Sequence, residues 1–152
     1  MAAIPLLLVL PHELGHALTA LAFGGSSDVV VGGEPRRFNL QLGRLSVRVR
    51  PLNRWSWIWY GMAPSEIPRA TRLRVVLAAA AGPFVTLALL ACYAAAAQLT
   101  AGFLRWFFWV LTYAAAWTFL VTALPIRYGR FFGPYAGRDS DGSRIRRALA
   151  GS

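Results

Sequence analysis

The chain has 152 residues, 57% of them hydrophobic, and a formal net charge of +10. Its mean hydropathy of +0.47 exceeds that of an ordinary soluble domain, and the length leaves no room for a second sizeable domain. All sixteen basic residues are arginine, an excess that suits nucleic acid or a membrane, and a single cysteine, Cys92, excludes an internal disulfide.

Three apolar segments reach the roughly 20 residues that a bilayer crossing needs. They predict spans at about 2–23, 73–99 and 103–124. The first lacks a basic leading region and is interrupted by "HELGH", so it does not read as a signal peptide. Nine arginines (36, 37, 44, 48, 50, 54, 69, 72 and 74) lie between the first and second spans, Arg105 lies between the second and third, and six follow the third. The positive-inside rule then puts the N-terminus outside, with the long loop and the C-terminal tail in the cytoplasm. Topology accounts for the charge; the lipid bilayer is an expected partner and nucleic acid is not.

Inside the first span, His12, Glu13 and His16 match H-E-x-x-H, and these are the only two histidines in the chain. Four residues apart on a helix, they project about 40° and about 6 Å apart, so both imidazoles can reach one metal ion. Glu13, turned about 100° from His12, falls beside a metal-bound water instead of on the metal. Zinc suits such a site, since it accepts imidazole and leaves a fourth position for water, which Glu13 can deprotonate. His16 lies about 10 Å from the cytoplasmic end of this span. Pro11 cannot donate to the carbonyl of Leu7 and predicts a kink.

Next, "FNLQLGRLSVRVR" at 38–50 alternates strictly around Gly43-Arg44. A Gly-X turn there pairs Leu42 with Leu45, Leu40 with Val47 and Phe38 with Val49 on an apolar face, and Gln41 with Ser46 and Asn39 with Arg48 on a polar one. "DVVVGG" at 28–33 is a candidate third strand. Such a sheet could lie on the membrane surface or offer its edge to an extended peptide. Trp55, Trp57, Trp59 and Tyr60 beside Arg54 read as an interfacial anchor.

A third metal ligand is needed. By chemistry alone Asp28, Glu34, Glu66, Asp139 and Asp141 are the candidates. The ligand role is favoured for Asp141, whose competing reading is the cap of a helix at "SRIRRALA"; one residue could do both.

An HExxH in a first span, followed by a hairpin and an Ala-Gly-Pro span, resembles the site-2 protease family of intramembrane zinc metalloproteases. The resemblance covers nearly the whole chain, with "HELGHALTA" as its most specific element. "AAGPFVT", Ala80 to Thr86, looks like the family's Gly-Pro motif, where small residues bring two helices close and Pro83 frees the carbonyl of Ala79. The family's third ligand is an aspartate of an Asp-Gly motif after the last core span. That implies one zinc ion held by His12, His16 and Asp141, with Asp139 as the confounder. Thr86 and Thr122 stand where the family often has asparagine, and with Pro83 they are the implied substrate contacts.

The resulting expectation is an all-α integral membrane protein, one unit over 1–152, with three transmembrane helices and a small antiparallel β-hairpin on the cytosolic side between helices 1 and 2. In a bacterial cell membrane it would hydrolyse a peptide bond in or near the transmembrane segment of a membrane-tethered protein. The alternative is a non-catalytic, membrane-embedded binder of single-span proteins.

Overall fold

The computed structural model describes residues 5–32, 38–49 and 61–151. Arg36, Arg37, Glu34, Arg50, Arg54 and the Trp55–Tyr60 aromatics lie outside the described residues.

Among the described residues, two helices are long and apolar enough to cross a membrane: α2 (Arg72–Leu99), with mean hydropathy 2.3, and α3 (Gly102–Ala123), with mean hydropathy 1.4. Their bounds match the expected second and third spans within one residue. The N-terminal segment is a π-turn, Pro5–Val9, running into the 13-residue helix α1 (Leu10–Ala22). Its apolar helical run, Leu6–Ala22, is shorter than the roughly 20 residues of a full crossing.

The irregularity at the head of α1 has a local cause. Pro11 has no N–H to offer the carbonyl of Leu7, and the Tyr93 hydroxyl of α2 donates to that carbonyl instead. Farther along the antiparallel pair, Gly15 faces α2 so closely that a Cβ would come within 2.9 Å of the Ala81 carbonyl oxygen and of Val85. Backbone therefore meets backbone where the histidines lie, as small residues allow.

The all-α expectation needs correcting. A five-stranded mixed sheet is present, with β1 (Ser26–Val31), β2 (Phe38–Leu42), β3 (Leu45–Val49), β4 (Gly61–Met62) and β5 (Ser65–Glu66). β2 and β3 form the expected hairpin in the expected register, Leu42 opposite Leu45 and Phe38 opposite Val49. Gly43 has φ 57°, the positive value that the first turn position of a Gly-X hairpin requires. The third strand exists too, but β1 pairs in parallel with β3, while β4 and β5 pair antiparallel with its other edge. Val29, Val31, Leu45 and Val47 on one face of this sheet pack against Val9 and Ala17 of the N-terminal helix, with Leu10, Leu14 and Leu21 alongside. One side of α1 thus faces the sheet and the other faces α2.

After α3 the chain returns to the cleft. Residues 126–128 pair with 138–140 through the bonds Tyr128 N–H to Arg138 O, at 2.8 Å, and Ser140 N–H to Ile126 O, at 3.0 Å. A short helix, α4 (Asp141–Ala150), begins at once. Its cap is Ser140, whose Oγ accepts from Ser143 N–H at 3.1 Å and donates to Leu124 O at 2.6 Å. The capping role considered for Asp141 therefore belongs to its neighbour, and the Asp141 side chain is left for other work.

Candidate metal centre

α1 turns His12 and His16 toward α2, and α4 brings Asp141 to them. His12 Nε2 and His16 Nε2 are 3.3 Å apart, and Asp141 Oδ2 lies 3.4 Å from the first and 3.3 Å from the second. A tetrahedral ion with bonds of about 2.0–2.1 Å has ligand–ligand edges of about 3.3–3.4 Å, so the three atoms already have the spacing that one such ion imposes.

The far sides of the rings decide which atoms face the centre. His16 Nδ1 lies 2.6 Å from the carbonyl oxygen of Ala78, which can only accept, so Nδ1 carries the proton. His12 Nδ1 lies 2.7 Å from Thr86 Oγ1, whose own proton goes to Gly82 O at 3.1 Å. Thr86 must then accept from His12 as well. With both Nδ1 atoms engaged on α2, both Nε2 atoms face the Asp141 carboxylate as three ligands face one cation, and both rings have the outer-sphere partner usual for metal-binding histidine. Burial works against the charge on Asp141, but hydrogen bonding to the two imidazoles outweighs it and holds this carboxyl well below the usual carboxylate range.

Space for the ion comes from Gly82. A Cβ at that position would lie 2.7 Å from His12 Nε2 and closer still to His16 Nε2, inside the cradle formed by the ligand atoms. Gly142 has a parallel role: a Cβ there would collide with the carbonyl of Ala123 at the end of α3. This glycine lets α4 start hard against α3, which brings Asp141 within reach. The donor set, its spacing and the cradle all fit a metal ion, and His12, His16 and Asp141 are the group that could hold one among the described residues.

Of the other acids, Asp139 is paired with Arg147 and sits in an antiparallel bridge with Arg127. Asp28 pairs with Arg48 at 3.1 Å on the sheet, and Glu66 lies in β5. None of these joins the histidines.

Glu13 is buried, and it borders a cavity of about 570 Å³ that also reaches the two imidazoles and Asp141. Gly61 of β4 lies over it, close enough that a Cβ would be 2.8 Å from Glu13 Oε1. The Tyr135 hydroxyl accepts from Gly61 N–H at 2.7 Å and donates to Gly61 O at 2.8 Å. Tyr128 also faces the cavity. Burial, together with the negative charges of Asp141 and Glu13, pushes its phenol far up, so it remains a neutral donor, and it donates to Val121 O.

The three expected substrate contacts separate. Thr122 lines the cavity, with its hydroxyl donated to Thr118 O at 2.9 Å. Pro83 and Thr86 are buried in α2, and neither lines the cavity. Thr86 stands behind His12, so its hydroxyl serves the ring and not a substrate. Sequence reasoning missed the orienting roles of Thr86 and Ala78 and the cradle at Gly82. The spacing of Gly82 and Thr86, one helical turn apart, was the available signal.

No protein-family model, no curated protein and no solved structure matches this chain.

Proposed function

We propose that the chain is a zinc-dependent intramembrane endopeptidase of the site-2 protease kind. The observation that carries the reading is the convergence of two imidazole nitrogens and one carboxylate oxygen, at 3.3–3.4 Å spacing, beside a buried glutamate and an open cavity. In this reading the N-terminal helix is a third membrane-inserted element, the N-terminus is outside and the site faces the cytoplasm of a bacterial cell.

His12, His16 and Asp141 would hold the ion. Zinc bound there supplies Lewis-acid polarisation and lowers the pKa of a coordinated water. The chain supplies the rest. Glu13 takes a proton from the water that attacks the peptide carbonyl and returns it to the nitrogen as the C–N bond breaks. Thr86 and Ala78 keep both imidazoles in the tautomer that presents Nε2. The apolar wall of the cavity, with Trp117 and Val121 from α3, suits a segment drawn from the bilayer. The substrate is accordingly a membrane-tethered protein cut in or near its spanning helix.

The non-catalytic binder stays as a second reading because the Thr86 and Thr122 hydroxyls are both donated to carbonyls of their own helices, so neither is offered to a substrate. Substituting Glu13→Gln separates the two. The endopeptidase reading expects one zinc per chain in both proteins and cleavage of a single-span reporter only by the wild type. A binder retains the reporter equally in both and cuts it in neither.

A further inference from the structure

Hydrolysis of an amide puts negative charge on the carbonyl oxygen, and a preorganised donor at that point is among the largest contributors to rate. The hydroxyls around the cavity are mostly committed elsewhere. Thr122 donates to Thr118 O, Tyr128 to Val121 O, Tyr135 to Gly61 O and Ser140 to Leu124 O. His12 and His16 have spent their Nδ1 protons on α2. Thr118 is uncharged, and the Arg138 guanidinium is turned to the sulfur of Met62.

Arg144 is different. It lies in the first turn of α4, three residues after Asp141, and lines the same cavity. Its Nη1 is 3.6 Å from Asp141 Oδ1, the oxygen turned away from the imidazoles, and its side chain is 50% exposed. Among the described residues its guanidinium makes no hydrogen bond, so a cation held only by its ion pair with Asp141, with donors to spare, lines the cavity at the edge of the ligand set.

We propose that Arg144 is a catalytic residue: its guanidinium donates to the carbonyl oxygen of the scissile peptide group and holds the charge that develops there. The proposal rests on the endopeptidase reading. Arg144 keeps its protons throughout. The water oxygen bonds to the carbonyl carbon, its proton goes through Glu13 to the nitrogen, and Arg144 stabilises the oxygen left between those events.

The test uses the full chain in lipid nanodiscs, loaded with zinc. Its probes are a fluorogenic single-span Leu/Ala peptide and a dipeptide phosphonate whose charged tetrahedral group imitates the intermediate. For Arg144→Gln the expected result is a fall in kcat of about 100-fold. KM should stay within about threefold, as for a group that acts only in the transition state. Phosphonate affinity should fall along with kcat, zinc affinity measured against a chelator should not change, and Arg144→Lys should recover part of both losses. Retention of more than about a third of kcat by Arg144→Gln overturns the proposal. A loss of zinc affinity large enough to explain the lost rate also overturns it, because Arg144 would then act through Asp141. Failure of the zinc-loaded wild type to cut the peptide at all sinks the endopeptidase reading itself, and the proposal with it.

Discussion

His12 and His16 are held from behind by one long helix, whereas Asp141 arrives at the end of an excursion that leaves α3 and comes back. The imidazoles rest on α2 through Thr86 and the Ala78 carbonyl, at 2.7 and 2.6 Å, where Gly15 lets the two backbones touch. The aspartate depends on a three-residue ladder, the Ser140 cap and the missing side chain of Gly142. The first half is set by helix packing and the second by loop closure. Damage to each half should therefore read out differently: loss of the partners behind the rings on α2 weakens the grip on the ion with little change in its surroundings, and changes near Asp141 remove a ligand outright.

The largest effect is expected where both halves meet. Gly82→Ala would put a methyl group between the two Nε2 atoms, and metal binding should weaken by more than the roughly 100-fold typical of a lost outer-sphere partner, as read by metal content per purified chain. Asp141→Ala should come next, with metal lost while Asp139→Ala keeps it. If only Asp139→Ala lost metal, the loop half of the comparison would be misassigned. Thr86→Val, which removes the acceptor behind His12, should weaken metal binding by about 10–100-fold, with Thr86→Ser restoring it; chelator competition measures both. The smallest effect belongs to Tyr93→Phe. It leaves the Leu7 carbonyl without its donor and should lower stability by about 1–3 kcal/mol in detergent unfolding, with metal content unchanged.

The half built on α1 was legible in the sequence and the other half only partly so. HELGH shows itself because helical period and ligand spacing are the same local fact, and the hairpin register follows from strict alternation around Gly43. The parallel pairing of β1 with β3 could not be read, because it depends on which edge of the hairpin is free and not on a local pattern. β4 and β5 lie in "GMAPSE", which has no alternation to find. Asp139 and Asp141 share nearly the same sequence surroundings. What separates them is a ladder that ends with Asp139 facing Arg127 and Arg147, and a helix that starts one residue later, at Asp141. Thr86 was assigned to substrate by its position in a motif, and only its burial against His12 shows that it works inward.

The tight seam at Gly15 also limits how the molecule can move. Prying α1 from α2 would pull both imidazoles off their partners, Thr86 and the Ala78 carbonyl. The cavity borders α3 and the residues after it, a wall that no histidine leans on. In the endopeptidase reading, a crosslink from α3 to α1 would therefore obstruct the cavity while leaving the partners of both imidazoles on α2 untouched.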